Sequence, residues 1–529
     1  MCPECHSIIA SMQWGSGGRS VGKRGKNHNH NRCGFGFGGH CDRLHSRSDR
    51  LVRPVFRKLI PVGRVRTFIE DLDRRQLVRH ALFAICAGLA GAAASMLLCI
   101  CVDTANRFNM DNFWALYLLP VMGILGTLLY KSMKLDVFMT TNNVIEKMRK
   151  NEKVSPLLAP GILLGTCLSI LGGASVGKEA GALQMGASIG DTMARPFKLQ
   201  SIRKSKQDGL QHDYAASIGM AATFSALFFA PLGSTFFVWE LSRYKRSIFK
   251  HFISIFVACF IGANITRNIG IGDIIPTVDI PPMTVDLFFM AVIVSIVTGV
   301  SGALFGTILR KMQKANQQLV KNPFISVLIG SAIILLLVLL CDWRMYDGLG
   351  STLVADALAG NADTWGFAIK GCLTLLALGF LFKGGEIMPM FTIGSLLGCS
   401  MGHVLGISAP FASMLGLITF FCAATRCPLA ALFMGIEVFG IDAAPYMLVG
   451  VLCAYSSSFD FGIYGHGIGR EVRIQSERFP RLSKVLSITG SIDDQEAPIE
   501  GQNVGGEKFV DTFEEAVDPK RFMKTGKRK

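Results

Sequence analysis

Apolar segments long enough to cross a lipid bilayer recur along most of this sequence. A helix needs about 20 mostly apolar residues to span about 30 Å of hydrocarbon. The segments, of which the last three are shorter and interrupted by glycine or proline, are residues 82–102, 113–130, 249–265, 287–309, 324–341, 367–382, 411–424 and 443–455. Lipid offers no partner to free backbone groups, so spanning segments must be helical. The sequence therefore predicts an all-α, polytopic membrane protein and excludes a soluble globular fold.

Basic residues are concentrated before the first apolar segment. The chain has a formal net charge of +16, and residues 1–79 hold 16 Lys and Arg against 6 Asp and Glu. The positive-inside rule makes this excess a sign of a cytoplasmic N-terminus and not of nucleic-acid binding. Residues 51–79 are expected to form a basic amphipathic helix at the membrane surface. We expect a transmembrane domain at 80–470 of a multi-pass protein of the cell membrane, with a C-terminal tail at 471–529 that is also cytoplasmic.

The first 50 residues are polar and rich in glycine, histidine and arginine, which is typical of a disordered segment. Cys2 and Cys5, together with later histidines and cysteines, are residue types that can bind zinc. Their spacing is irregular and no apolar pattern surrounds them, so we expect neither a metal site nor a cofactor. Most other cysteines lie inside apolar segments, where cysteine behaves as a small apolar residue.

A glycine-rich stretch at residues 172–190 places Lys178 and Glu179 in otherwise apolar sequence. A charged side chain at the centre of the hydrocarbon costs roughly 3 kcal/mol or more, so Glu179 must be paired, neutral or beside an aqueous path. The glycines precede a helix that is expected to start near Ala182, and free N–H groups at a helix start bind anions. Glu179 would then compete with a mobile anion for the same place.

Two other interpretations of this stretch stay open. Gly172 and the pair Gly177-Lys178 have the spacing of a phosphate-binding P-loop, but Glu179 replaces the Ser or Thr that would hold Mg²⁺. Small residues also allow membrane helices to pack closely. Close packing accounts for most of the glycines, although it does not account for Lys178 and Glu179.

Two sequence patterns occur twice, in the same order and about 200 residues apart. Pro231 is followed by Glu240 after nine residues, and Pro428 is followed by Glu437 at the same interval. Residues 384–394 form a second glycine-rich break before a helix. Internal repeats of this kind are typical of transporters whose substrate site lies at the repeat interface.

Four motifs together resemble the CLC family of chloride channels and antiporters. Residues 177–181 resemble its Gly-(Arg/Lys)-Glu-Gly-Pro motif, and residues 384–389 are similar to its Gly-x-Phe-x-Pro motif. The helices expected at 231–240 and 426–437 match its two Pro-Leu…Glu helices, and Tyr464 falls at its pore tyrosine. The resemblance covers the predicted transmembrane domain. It implies a CLC-type helical bundle with an inverted repeat and broken helices, assembled as a homodimer with one pore per subunit.

The resemblance also implies roles for particular residues. Glu179 would be the gating glutamate, which exchanges protons and swings away from the anion site. Tyr464 would place its hydroxyl beside the anion, or it would instead anchor the chain at the membrane interface. Glu240 and Glu437 would be structural carboxylates that accept hydrogen bonds in the protein interior. The other anion-binding positions are Gly177, Lys178, Ala180, Gly181, Ile387, Met388 and Met139.

Several positions depart from the chloride-transporting pattern. The Gly-Ser-Gly-Ile-Pro motif has no counterpart, and residues 138–143 stand in its place with Met139 at the filter serine. Ile387 replaces the filter phenylalanine, and Leu241 occupies the position of the internal proton-relay glutamate. Met139 and the Gly-Gly-Glu-x-x-Pro run at 384–389 resemble the fluoride-exporting branch, which lacks that glutamate and is still proton-coupled.

The expected function is passage of a small inorganic anion, chloride or fluoride, through a channel or in exchange for protons. Side chains at 140–143 would donate hydrogen bonds to fluoride or simply form a turn, so the choice of anion stays open. A cation-coupled solute symporter with Glu386 and Glu437 as ligands is one alternative. A membrane-embedded enzyme is the other, but His403 and His466 lie in no metal or triad pattern, and we expect no enzymatic activity.

Overall fold

The computed structural model describes residues 74–197, 199, 211–273, 275–459 and 462–464. Within these residues the chain is helical, apart from an isolated antiparallel bridge between Gly177 and Gly385. The N-terminal cysteine and histidine positions and residues 51–73 of the expected surface helix lie outside the described residues. His466 and the C-terminal tail at 471–529 lie outside them as well.

The first half of the described chain opens with a long helix, α1, which passes the predicted boundary at residue 79 without a break. The elements of this half, in order, are α1 (Arg74–Asp111), a 3-10 helix (Phe113–Leu118), α2 (Leu119–Ser132), α3 (Thr141–Arg149), α4 (Leu158–Leu171), α5 (Glu179–Phe197), α6 (His212–Phe228), α7 (Pro231–Leu241), α8 (Arg246–Phe249) and α9 (Phe252–Ile269).

The second half opens with another long helix, α10. Its elements, in order, are α10 (Val285–Leu319), α11 (Pro323–Cys341), a 3-10 helix (Arg344–Tyr346), α12 (Ser351–Leu358), α13 (Gly366–Gly379), α14 (Ile387–Leu405), α15 (Ala409–Thr425), α16 (Pro428–Phe439), a 3-10 helix (Ile441–Ala443) and α17 (Ala444–Ser457).

The two halves repeat the same succession of helices. Helices α4 to α7 have 14, 19, 17 and 11 residues, and α13 to α16 have 14, 19, 17 and 12 residues. The long helices α1 and α10 open their halves, and the short helices α3 and α12 come before these sets. An antiparallel bridge joins the equivalent breaks at Gly177 and Gly385. The predicted inverted repeat is confirmed, and it includes more helices than the sequence patterns indicate.

Six helical segments of the described chain are long and apolar enough to cross a membrane. Four of the five longer predicted segments fall within them, the segment predicted at 249–265 begins three residues before its helix at Phe252, and the sixth helix is α14. The spanning helix α11 leaves apolar side chains such as Leu336 and Leu340 on the surface, whereas α6 and α15 are buried along almost their whole length. Because a helix that is apolar on all sides must be buried, these short helices form the core.

Each half also breaks at a proline that is visible in the sequence. Phe229 and Arg426 follow α6 and α15 in the left-handed conformation, with φ angles of 55° and 62°. Proline restricts the residue before it and lacks an N–H, so a helix cannot run through such a position unchanged. Helices α7 and α16 therefore start again at Pro231 and Pro428.

Glycines bring α5 against α6 and α14 against α15. A β-carbon on Gly186 would overlap the backbone of Gly219, and one on Gly398 would overlap the backbone of Ala412. Small residues permit this close approach of membrane helices. The packing interpretation therefore holds for Gly186, which lies inside α5. It also holds for Gly172, where a β-carbon would lie 2.9 Å from the α-carbon of Leu119, whereas Gly177 belongs to the site described next.

Candidate functional site

Two glycine-rich breaks meet between the two halves of the chain. One break separates α4 from α5, and the other separates α13 from α14. The Gly177 amide donates to the Gly385 carbonyl at 2.6 Å, and the Gly385 amide donates to the Gly177 carbonyl at 2.7 Å. These reciprocal hydrogen bonds hold the N-termini of α5 and α14 beside each other. Both helix starts have N–H groups without partners inside their own helix.

Helix α5 begins at Glu179, three residues before the predicted start near Ala182. The amide of Ala182 already donates to the carbonyl of Lys178 at 2.8 Å, which closes the first helical turn. The predicted start is wrong by almost one turn, because the bridge at Gly177 ends the extended segment early. Glu179 is consequently the first residue of the helix and not a loop residue in front of it.

The carboxylate of Glu179 lies at the start of the opposite helix. Glu179 is fully buried, and its Oε2 accepts a hydrogen bond from the Met388 amide at 3.0 Å. Its Oε1 has no hydrogen-bond partner among the described residues. Because the first turn of a helix favours negative charge, the Glu179 carboxylate occupies a place that is suited to a bound anion.

At two positions in the breaks there is no room for a β-carbon, so only glycine fits. A β-carbon on Gly177 would lie 2.5 Å from Glu179 Oε2, and one on Gly385 would lie 2.7 Å from the backbone nitrogen of Ala180. Real β-carbons do not approach other atoms so closely. Gly181 differs, because a β-carbon there would meet its nearest neighbour at an ordinary 3.4 Å. The geometry therefore requires glycine at 177 and 385 but not at 181.

The side chain of Lys178 is held by two aspartates. Its Nζ lies 2.8 Å from Asp103 Oδ1 and 3.0 Å from Asp273 Oδ1. The side chains of Lys178 and Asp273 are buried, whereas that of Asp103 is 40% exposed. Two carboxylates thus compensate the ammonium charge, and the backbone of Lys178 is the part that lies at the break.

The hydroxyl of Tyr464 is bonded to a second buried carboxylate. It donates to Glu386 Oε1 at 2.5 Å, and the Thr141 hydroxyl donates to Glu386 Oε2 at 3.3 Å. The Gln184 amide group donates to the Thr141 hydroxyl at 3.1 Å. Tyr464 is 2% exposed, so the alternative of a membrane-interface anchor does not hold.

Sequence reasoning does not join Glu386 to Thr141 and Gln184. These residues come from the start of α14, the start of α3 and the interior of α5, so only the fold brings them together. The available signal is the position of Glu386 directly after two glycines in apolar sequence. A carboxylate in such a break needs hydrogen-bond donors from elsewhere, but the sequence does not show which ones.

The remaining predicted positions surround the same two breaks. Ala180 lies in the first turn of α5, and Ile387 and Met388 open α14, all three being buried. Met139 lies just before α3 and is half-buried. The structure therefore brings the predicted residues together at the two helix starts, with Met139 and Tyr464 on the side of Glu386.

Two cavities approach the breaks. The Glu386 cavity, whose charged lining residues are Arg310, Lys314, Lys383 and Glu386, has a volume of about 260 Å³. The Asp103 cavity, whose charged lining residues are Asp103, Arg107, Lys178 and Asp273, has a volume of about 290 Å³. Gln184 lines the first and Met388 lines the second, whereas Glu179 lines neither. In the chain, Glu179 lies between Lys178 of the Asp103 lining and Gln184 of the Glu386 lining. We call this stretch, which separates the two linings, the partition.

The two Pro-Leu…Glu helices cap each other. Glu240 of α7 accepts hydrogen bonds of 3.1 and 2.8 Å from the amides of Leu429 and Ala430 at the start of α16. Glu437 of α16 accepts two hydrogen bonds of 2.9 and 2.8 Å from amides at the start of α7. Each carboxylate satisfies N–H groups that the partner helix cannot satisfy itself. The predicted hydrogen bonding of both residues is confirmed. Of the two carboxylates that the symporter alternative names, Glu437 thus has both oxygens bonded to backbone amides.

Two other positions named from the sequence make their contacts away from the two breaks. Leu241 is buried at the end of α7, and its carbonyl accepts from Arg149 Nε at 2.7 Å. His403 contacts the Cys399 thiol and the Gly360 carbonyl. Among the described residues, no group of three or more His, Cys, Asp or Glu side chains is placed to hold a metal ion.

The fold and the site together define a helical membrane protein whose two halves meet at paired helix N-termini. Residues 139–458 match the family model described as voltage gated chloride channel, and the chain belongs to this family. The resemblance seen in the sequence is thereby confirmed.

Relatives with a stated activity are similar over most of the chain. A chloride/fluoride channel protein of Pseudomonas syringae pv. tomato is 28% identical over 417 residues, which cover 75% of this chain and 88% of the relative. The crystal structure of a CLC-type fluoride/proton antiporter superimposes with a TM-score of 0.67 and 26% identity, over 74% of this chain and 98% of that one. A slow cyanobacterial Cl⁻/H⁺ antiporter superimposes with a TM-score of 0.61 and 20% identity, over 73% and 95%, and shows the shared fold.

Proposed function

We propose that this protein moves fluoride or chloride across a membrane in exchange for protons, with Glu179 as its gate. The observation that carries the proposal is the hydrogen bond between the Glu179 carboxylate and the Met388 amide. A deprotonated Glu179 holds the anion place itself. A protonated Glu179 gives up its charge and leaves the place to an anion. Because proton and anion act on one place in alternation, their movements are coupled.

Backbone N–H groups are the proposed ligands of the anion. They belong to residues 178–181 and to Ile387 and Met388, at the two helix starts, whereas the amide of Gly177 is already bonded to the Gly385 carbonyl. Neutral N–H dipoles bind an anion without the fixed charge that would trap it. The ammonium of Lys178 adds no such trap, because Asp103 and Asp273 compensate it.

Glu386 is proposed to act on the other side of the partition. Its two oxygens accept from the hydroxyls of Tyr464 and Thr141, which are donors that an anion would also use. When Glu386 is protonated or turns away, those hydroxyls become available to an anion that comes from the Glu386 cavity. The two glutamates would thus release the two ends of one short path in turn.

Fluoride is the favoured anion. Fluoride holds its water more tightly than chloride does, so its site needs strong and well-aimed donors. The hydroxyls of Thr141 and Tyr464 and the amide of Gln184 supply such donors beside the partition. Two similar proteins, a chloride/fluoride channel protein and a fluoride/proton antiporter, point in the same direction. Chloride is the second candidate, on the ground of family membership.

The Glu386 cavity is proposed to open to the cytoplasm of a cell. Two segments that contribute residues to the lining of this cavity are rich in lysine and arginine, namely 131–153 and 310–321. The positive-inside rule assigns such segments to the cytoplasm, and it does the same for both ends of the chain. A protease-cleavable tag at either terminus can be tested for cleavage by external protease in intact cells. Cleavage would show that the terminus lies outside the cell, and protection would support the cytoplasmic side.

A homodimer with one path per subunit is proposed from the family resemblance. The subunit mass is 57.4 kDa. Mass photometry of the detergent-solubilised protein is expected to show a particle of two subunits. A single-subunit particle that still transports anions would contradict the homodimer without affecting the proposed exchange.

The exchange is tested by loading liposomes that contain the purified protein with fluoride or chloride. Internal anion and external pH are followed together after dilution into anion-free buffer. We expect fluoride to leave while protons enter, and proton entry to be driven uphill by the fluoride gradient. Release of chloride alone, insensitive to a pH gradient, would make the protein a chloride channel. A requirement for an external cation such as sodium would favour the symporter alternative.

A further inference from the structure

One face of α10 brings positive charge into the Glu386 cavity. The α10 residues that line this cavity with polar groups are Arg310, Gln313, Lys314 and Gln317. Their spacing of three and four places them on one side of the helix. Arg310 is half-buried and Lys314 is exposed, and neither makes an ion pair within the described residues. Among the described residues, the wall therefore holds two cations that form no ion pair with a carboxylate.

The rest of this cavity adds to the positive field. Lys383 is buried, with its ammonium donating to the Val137 carbonyl and lying 4.4 Å from the centre of the Tyr130 ring. The nine-residue helix α3 starts at Thr141 in the same wall, and a helix start carries partial positive charge. Glu386 is the carboxylate of the lining, and hydroxyl groups are bonded to both of its oxygens.

The Asp103 cavity is built from the matching helix of the other half but has a different charge. Asp103 and Arg107 of α1 line it at the same spacing as Arg310 and Lys314 of α10. There, however, Asp103 and Asp273 bind Lys178. Two cations and two carboxylates leave the Asp103 cavity without net charge, whereas the Glu386 cavity has a net excess of cations.

We propose that Arg310 and Lys314 form a peripheral binding site for the transported inorganic anion in the Glu386 cavity. The proposal rests on the anion exchange proposed above and specifies how the anion reaches the partition from one side. Both side chains are in contact with water, where the attraction between unit charges is weak. Such a site concentrates the anion in front of Glu386 and releases it readily. Loading from the Glu386 side is then effective at lower anion concentration than loading from the Asp103 side.

The test compares loading from each side in liposomes sorted by protein orientation. The double variant Arg310→Gln with Lys314→Gln removes both charges and retains hydrogen-bonding side chains of similar length. At low ionic strength we expect its half-saturating anion concentration on the Glu386 side to rise about tenfold. The maximal rate, the proton-to-anion ratio and loading from the Asp103 side are expected to stay unchanged.

Lys311 provides a matched control on the same helix. It is exposed and does not line the Glu386 cavity, so Lys311→Gln is expected to leave loading unchanged. The charge-keeping pair Arg310→Lys with Lys314→Arg is expected to behave like the unchanged protein. An impermeant salt at about 1 M shortens the screening length to about 3 Å, so it should abolish the difference between the double variant and the unchanged protein.

An unchanged half-saturating concentration in the double variant would overturn the peripheral site. The same shift in Lys311→Gln, or a shift that persists at high salt, would also overturn it, because the charges would then act only as residues of the membrane interface. These outcomes require that the unchanged protein exchanges anions. Unchanged protein that moves no anion from either side would instead overturn the proposed function.

Discussion

The two glycine-rich breaks occupy matching positions in the two halves, but their charged residues have different partners. In the first break, Glu179 reaches across to the amide of Met388, and Lys178 is bound by carboxylates. In the second break, Glu386 is bonded to hydroxyl groups, and the Lys383 ammonium is bonded to a neutral carbonyl. One backbone arrangement therefore holds one carboxylate at a helix start and the other in a hydroxyl cluster.

Because of this difference, the carboxylates of the two breaks are expected to differ in how easily they move. The first break carries a carboxylate with one oxygen bonded to the Met388 amide and one that has no hydrogen-bond partner among the described residues. The Glu179 carboxylate therefore has one such hydrogen bond to break when its side chain rotates away from the start of α14. The second break carries a carboxylate with both oxygens bonded, which is held more firmly. The comparison assigns the larger movement to Glu179.

The largest expected effect comes from removing the lysine of each break. Lys178→Met leaves the buried carboxylate of Asp273 without its cation, which is expected to lower the free energy of unfolding by about 3 to 5 kcal/mol. Lys383→Met leaves a neutral carbonyl and the exposed carboxylate of Asp136, and it is expected to cost about 1 to 2 kcal/mol. Denaturant unfolding in detergent measures both values. Equal losses in the two variants would contradict the described difference between the breaks.

A smaller effect is expected from adding a methyl group in front of Glu179. Gly177→Ala would push against Glu179 Oε2, and we expect a loss of about 1 to 3 kcal/mol in stability together with slower anion exchange. Gly181→Ala is the control, since its β-carbon has room and alanine favours a helix by about 1 kcal/mol. Thermal unfolding and liposome flux report both effects. Normal flux in Gly177→Ala would show that the glycine is not needed at that place.

The smallest expected effect concerns the hydroxyl cluster. Tyr464→Phe removes the donor to Glu386 Oε1, with an expected loss of about 1 to 2 kcal/mol and proton coupling retained. Combining it with Glu386→Leu should cost less than the sum of the single losses, because both changes remove the same hydrogen bond. A double-mutant cycle in unfolding experiments measures this. Strictly additive losses would mean that the Tyr464–Glu386 contact contributes no coupling energy.

The elements that could be predicted are those with a strong local pattern. The long apolar segments predict the spanning helices, and the Pro…Glu pattern at Pro231 and Pro428 predicts the repeat, because both patterns are local in the sequence. The start of α5 was placed one turn too late, because it depends on the bridge between Gly177 and Gly385, which are far apart in sequence.

The partners of the site could not be predicted for the same reason. Nothing near Lys178 in sequence indicates Asp103 or Asp273, and nothing near Tyr464 indicates Glu386. The residue types of the site are visible in the sequence, since a carboxylate between glycines in apolar sequence is costly and must be compensated. Which group compensates it is a property of the folded chain. The repeat was visible at its prolines and glycines only, because the matching helices share length and order rather than sequence.

The central claim is that the Glu179 carboxylate competes with the anion and carries the exchanged proton. Glu179→Gln retains the shape of the side chain and removes its charge and its titration. In liposomes with fluoride and pH recorded together, we expect the variant to release fluoride with no accompanying proton uptake, and to bind the anion at least as tightly as the unchanged protein does. Proton uptake that still follows fluoride release in a fixed ratio in Glu179→Gln would contradict the account.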